Sequence, residues 1–341
     1  MTRREIVVVR ALALGDLLCA VPFLRALRGR FPDARVTLVG LPWAAALVDR
    51  FSDYLDAFVP FPGWPGIPET PPDARRAERF LRASRRHPAD LAIQAHGSGR
   101  HINSFVAALG ARGAAGFHPP GQPAPDGGPW LPYPTDRPEI RRLLALAAAL
   151  GADAGDERLE WPLREDDDEA VAAALAPDRL QPGDFAVVHP GASRLVGRWP
   201  AARFAAVADA ISRRGLRIVL TGSLGETATT AEVAARMSAP ALDLAGRTSL
   251  GPLAAVLAGA RLLVSNDTGV AHLAEAVGTP TVRIFRASDP RRWGPLREDR
   301  HRALVPPDLG GRCVEAGRPG HPDCAAARCV AGGADPAPSS S

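Results

Sequence analysis

Lysine is absent from the 341 residues, and all 41 basic positions are arginine. Any fixed cation in a site must therefore be a guanidinium, a planar fork rather than the point charge of an ammonium. Also absent is any apolar run of roughly 18 residues, the length a membrane-spanning helix requires. The opening Thr2-Arg3-Arg4-Glu5 leads straight into the strand-like Ile6-Val7-Val8-Val9 with no signal-peptide pattern, so the expectation is a soluble, cytoplasmic protein. A large excess of charge of one sign is absent as well. A net charge of +4 suits phosphorylated substrates or an anionic membrane surface and is too weak to argue for nucleic acid. There are four cysteines. Cys19 falls in an apolar helix and reads as core packing. Cys313, Cys324 and Cys329, even with His321, are spaced too irregularly for a zinc site, so no metal is expected.

What is present is alternation. Strand-like and helix-like patches follow one another from the first residue, the signature of an α/β protein with parallel sheets. Residues 6–9 read as the first strand and 16–30 as the first helix, with Leu17, Leu18, Val21, Leu24 and Leu27 at helical spacing. Strand 36–40, helix 43–50, strand 57–59, the basic helix 73–86, strand 91–94 and helix 101–109 follow. Residues 119–138 are too rich in Pro and Gly for regular structure and read as a surface loop. Helix 141–150 then leads to a connection over 151–164.

A second series starts at residue 165, with helices 165–175, 200–213, 226–237 and 250–258 and strands 185–189, 216–221, 242–245 and 261–265. The chain after Trp293 is weakly periodic. The expected architecture is two Rossmann-like, doubly wound domains, 1–164 and 165–331, facing a cleft at the carboxyl ends of their strands, with a disordered tail over 332–341. The run Asp166-Asp167-Asp168 reads as an acidic helix start rather than a divalent-cation site.

The stretch from Val264 to Ala274 joins a buried strand to a helix start bearing an acid, a hydroxyl, a glycine and a histidine. Asp267 or Thr268 can cap that helix, which runs to Gly278 with Pro280 beyond. Its first N–H groups and dipole make an anion site that Gly269 lets a phosphate approach, and His272, one turn in, can donate to the same anion. Three further strand-end loops accompany it. Asp16, in Leu14-Gly15-Asp16, is either a helix cap or the carboxylate a general base requires. His189-Pro190-Gly191-Ala192-Ser193 with Arg198-Trp199-Pro200 reads as a phosphate cradle, Arg194 or Arg198 supplying charge. In Thr221-Gly222-Ser223-Leu224-Gly225-Glu226, Glu226 can hold a ribose or favour a helix N-terminus.

In this order the motifs resemble glycosyltransferase family 9, the ADP-heptose-dependent heptosyltransferases of GT-B fold. The resemblance extends to about Phe285 and includes Thr248-Ser249-Leu250. It implies a metal-independent, inverting glycosyl transfer without a cofactor. Asp16 would be the base and Ser193 a diphosphate contact. Glu226 would hold the ribose, Thr248 would sit beside adenine, and Asp267, Thr268, Gly269 and His272 would grip the diphosphate and sugar. The family usually has lysine where this chain has Gly197, so Arg194 or Arg198 would replace its charge.

On the acceptor side, Gln94, His96 and Arg100 follow a strand and are expected to recognise the acceptor: lipopolysaccharide core, another glycan, a lipid-linked molecule or a small metabolite. Arg75, Arg79, Arg82 and Arg86 share a helix face suited to an anionic membrane at its inner side. Two alternatives remain: a non-catalytic nucleotide-sugar-binding paralogue, and a nucleotide-sugar 2-epimerase. The latter typically continues Gly-Gly-x-Gln-Glu-Glu where this chain has Gly269-Val270-Ala271-His272-Leu273-Ala274.

Overall fold

The structure, a computed structural model, describes residues 3–305, and the chain divides after Pro162 into two compact units. The expectations placed on Cys313, His321, Cys324, Cys329 and the 332–341 tail lie outside the described residues.

The first unit carries strands β1 (Glu5–Val9), β2 (Arg35–Gly40), β3 (Ala57–Pro60), β4 (Leu91–Gln94), β5 (Ala114–His118) and β6 (Trp130–Pro132). They form one parallel sheet in the order β3-β2-β1-β4-β5-β6. Its helices are α1 (Leu14–Leu18), α2 (Val21–Arg30), α3 (Ala45–Arg50), α4 (Ala74–Arg86), α5 (Ile102–Ala108) and α6 (Glu139–Ala149). β1 buries Ile6, Val8 and Val9, as a central parallel strand covered by helices must. Phe105 of α5 meets the rings of Phe61, Trp64 and Phe80 over one face.

The second unit repeats the plan with β7 (Phe185–His189), β8 (Arg217–Leu220), β9 (Ala241–Asp243), β10 (Leu263–Asn266), β11 (Thr281–Ile284) and β12 (His301–Leu304). Their order, β12-β11-β10-β7-β8-β9, is again parallel throughout. Helices α7 (Glu165–Leu175), α8 (Ala201–Ser212), α9 (Thr227–Arg236), α10 (Leu250–Gly259), α11 (Gly269–Ala276) and α12 (Pro290–Trp293) flank it. Val188, Phe204, Ile218, Leu220, Val264 and Ile284 share its core.

Several sequence expectations are corrected. The helix expected over 16–30 is two helices: Pro22 lacks the N–H that would bond Leu18, and the chain breaks at Cys19 and Ala20 before α2 begins. The loop expected over 119–138 contains β6, three residues that extend the sheet beside β5. β5, β11 and β12 were not marked by periodicity. β5 is built on Ala and Gly, β11 has an arginine in its middle, and β12 is an exposed edge. Pro200 is the N-cap of α8 rather than its first residue.

In both sheets the strand order reverses between the first and fourth strands of the unit, β1 and β4 in one and β7 and β10 in the other. Loops leaving the carboxyl ends of such a pair diverge to opposite faces and open a crevice, the usual ligand site of an open α/β sheet.

Candidate active site

At the first switch point the loops are 10–16, after β1, and 95–101, after β4. Asp16 is not a cap: it lies inside α1, whose N-cap is Ala13 without a side-chain bond. The helix break leaves the Asp16 carbonyl without its usual donor, because the Ala20 N–H bonds Leu17 instead. Arg10 takes that carbonyl, donating from Nε at 2.8 Å and Nη2 at 2.6 Å. The same guanidinium also donates to the Ala95 carbonyl and to Glu139 Oε1, 3.2 Å away. Arg10 is 1% exposed. Behind it Glu139 pairs with buried Arg142, which lies over the Tyr133 ring and donates to its hydroxyl. One arginine thus fastens both loops of the switch point to α6.

His96 is buried and accepts the Ala11 N–H at Nδ1, so hydrogen resides on Nε2. Burial pushes its imidazole down to about 3, with the Arg10 charge acting the same way and Glu139 against it. Gln94 does not reach into the crevice, in contrast to the role expected for it. It is fully buried, donating to the carbonyls of His96 and Gly97 and accepting the Phe117 N–H, so its amide is used in bracing the loop. Arg100 is exposed at the loop's end.

At the second switch point α11 begins at Gly269 with Thr268 as N-cap and stops at Ala276, with Gly278 beyond it at a φ of +83°. The Thr268 side chain makes no cap hydrogen bond. Asp267 accepts the Ser288 hydroxyl, and the Thr268 Oγ1 atom is buried with no hydrogen-bond partner. His272 is buried, and burial together with Arg283 holds its imidazole well below the ordinary range, hence neutral. In the loop after β7, Ser193 and Arg194 are exposed, while half-buried Arg198 donates to the Ala192 carbonyl and the Thr229 hydroxyl.

Glu226 follows β8 and forms a capping box with Ser223: Oε2 accepts both the Ser223 N–H and hydroxyl at 2.8 Å. Burial raises its carboxyl, but those bonds, with His189 and Arg198 nearby, keep it below the usual carboxylate range. Thr248 is half-buried before α10. The acidic run 165–168 is the first turn of α7, with Asp167 accepting the Arg164 N–H, and no group of three His, Cys, Asp or Glu among the described residues could hold a metal ion.

Three residues in or beside these loops escaped the sequence reading. Two are arginines at an apolar strand, Arg10 directly after β1 and Arg283 inside β11, a pattern that marks a buried charge without naming its partners. The third, Asn266, is fully buried; Oδ1 accepts the Trp199 N–H at 2.9 Å and Nδ2 donates to the carbonyls of Pro190 and Gly191. It ties the loop after β7 to the end of β10.

A model of glycosyltransferase family 9 (heptosyltransferase) matches residues 130–312, more than half of the chain. The lipopolysaccharide heptosyltransferase 3 of Escherichia coli is 34% identical over 115 residues, which are 33% of this chain and 34% of that protein. The aligned stretch thus spans about a third of that relative's length. Among solved structures, a family 9 glycosyl transferase of Veillonella parvula superposes with a TM-score of 0.75 at 23% identity, covering 89% of this chain and 88% of that one. The Escherichia coli ADP-heptose lps heptosyltransferase II gives a TM-score of 0.67 at 20% identity over 88% and 90% of the chains. At these identities the likeness establishes the fold, GT-B.

Proposed function

The chain belongs to glycosyltransferase family 9, and from that premise we propose that it moves a sugar, heptose from ADP-heptose, to a hydroxyl of a lipopolysaccharide-core type of acceptor. The observation that carries this reading is the start of α11: an orphan Thr268 hydroxyl beside the first N–H groups of a helix, at a switch point. Such a site suits a diphosphate. The ADP-heptose in the name of the Escherichia coli neighbour supports the donor.

In the proposed reaction the Asp16 carboxylate takes the proton of the acceptor hydroxyl. The freed oxygen forms a bond to the anomeric carbon from the face opposite the leaving group, the carbon–oxygen bond to the diphosphate breaks, and the configuration inverts. ADP leaves with the bonding pair, and its charge is met by the helix N–H groups, the Thr268 hydroxyl, the His272 imidazole, Ser193, Arg194 and Arg198. No divalent cation is needed for that neutralisation. Glu226 receives the ribose, Thr248 lies beside adenine, and Asp267 and Gly269 complete the donor half-site. His96 and Arg100 meet the acceptor, and Gln94 holds their loop.

The donor half-site belongs to the second unit and the acceptor half-site to the first. The arginines of α4, with Arg75, Arg79, Arg82 and Arg86 exposed, favour peripheral contact with an anionic membrane at the cytoplasmic side. Among the described residues no helix is long and apolar enough to cross a membrane.

Gly197 favours a second reading, a nucleotide-sugar-binding paralogue that does not transfer. Incubating the protein with ADP-heptose and heptose-deficient lipopolysaccharide separates the two. Transfer that vanishes in Asp16→Asn while ADP still binds supports the enzyme, and ADP binding without transfer in the unaltered protein supports the paralogue.

A further inference from the structure

Arg283 stands in the middle of β11, a position that in a covered parallel strand is ordinarily aliphatic. It is fully buried. A buried ion pair is a poor stability device, since well-packed apolar residues commonly do as well or better. The contacts of the guanidinium suggest another use. Nη2 reaches Glu275 and, at 3.2 Å, the Ala271 carbonyl. Nη1 donates to the Trp293 carbonyl at 3.1 Å and to His272 Nδ1 at 3.3 Å. All of these partners lie on or beside α11, and the Trp293 ring itself lies edge-on to the imidazole.

A guanidinium has donors and no acceptor. Its N–H facing Nδ1 leaves that nitrogen only the acceptor role, so the hydrogen of a neutral imidazole must sit on Nε2. A ring with hydrogen on Nδ1 would present a lone pair to an anion instead of a donor. Burial keeps the ring neutral, so a second hydrogen is not available to rescue the wrong form.

We propose that Arg283 is a positioning residue that fixes His272 in the tautomer with hydrogen on Nε2, so that the imidazole donates to the diphosphate of the nucleotide-sugar. The proposal rests on the donor-site reading given above. Arg283 touches no substrate itself; it acts through His272, with Glu275 holding the guanidinium in place.

The direct test needs no variant. Long-range 15N–1H correlation spectra of the histidine-labelled protein at pH 7, with His272 identified by the signals lost in His272→Gln, are expected to show Nδ1 without hydrogen and Nε2 with it. Hydrogen on Nδ1, or on both nitrogens, overturns the proposal. The second arm measures ADP affinity in Arg283→Met/Glu275→Gln, which leaves no buried charge unpaired. A loss of about tenfold with a shifted tautomer supports the positioning role, whereas unchanged affinity in a protein whose His272→Gln variant does lose affinity overturns it and leaves the donor site standing. ADP affinity unchanged in His272→Gln itself removes His272 from the donor site and overturns both.

Discussion

The α-carbon of Gly191 lies against the carboxylate of Glu226: a methyl group at residue 191 would stand 2.1 Å from Oε1 and 2.4 Å from Cδ. The carboxylate cannot simply swing away, because Ser223 holds its other oxygen by two hydrogen bonds. Gly191→Ala is therefore expected to cost about 1–3 kcal/mol of stability and to weaken ADP binding, through displacement of Glu226. In a Glu226→Ala background the same substitution should cost little. Denaturant titration of the four proteins of that cycle reads the coupling directly.

Gly197, where the resemblance to the family leads to the expectation of a lysine, offers room rather than a clash. A Cβ at Gly197 would meet nothing closer than Ala287 Cβ at 3.7 Å, an ordinary contact. Gly197→Lys is thus expected to fold with unchanged stability and to raise affinity for ADP up to about tenfold, the equivalent of 1.4 kcal/mol. Unchanged or weaker binding would mean that the arginines of this chain already occupy the space the ammonium needs.

Acid should destabilise the first unit through His96. Its imidazole titrates at about 3 in the folded protein and near 6.5 when unfolded, so the unfolded chain binds the extra proton throughout that window. Stability is full above pH 6.5 and falls as pH drops toward 3. By pH 5 the loss is about 2 kcal/mol from this group alone. Thermal melts between pH 7 and 5 should show the decline, and His96→Gln should make it shallower, buried His189 and His272 supplying the rest; an equally steep decline in the variant would assign the whole effect to those other histidines.

Arg10 fastens the turn that carries Asp16 to the loop that carries His96. Arg10→Lys retains the charge but not the fork, and is expected to lower kcat about tenfold while leaving the KM for the donor unchanged, since the donor half-site is in the other unit. Arg10→Met also strips Glu139 of one partner and takes the guanidinium donors from the Asp16 and Ala95 carbonyls, and should cost about 3–5 kcal/mol in denaturant unfolding. Equal loss of kcat and of donor affinity in the lysine variant would contradict a role confined to the first unit.

Legibility in the sequence followed the physics of each element. Strands built around short apolar runs, β1, β4, β7 and β10, were readable because burial on both faces selects apolar side chains, the polar Gln94, His189, Ser265 and Asn266 falling toward the carboxyl ends. β11 was hidden by Arg283 and β12 by its solvent edge, both consequences of tertiary position. The loops after β1, β4, β7 and β10 were visible as clusters of Gly, Ser, Thr, Asp and His, although the sequence alone did not show that they sit at the two switch points. Asn266 and Arg10 were not legible as parts of the site, because the groups they bond lie as far as 76 and 129 residues away. Gln94 read as a ligand contact because a polar residue ending a strand looks alike whether it faces a crevice or a buried loop.

Calorimetric titration of ADP, UDP and GDP into the purified protein in the presence of EDTA tests the central claim most directly. The account predicts selective binding of ADP that persists in Asp16→Ala and weakens about tenfold in His272→Ala. Preference for UDP or GDP, or no binding of any of the three, would contradict an ADP-sugar donor held at the start of α11.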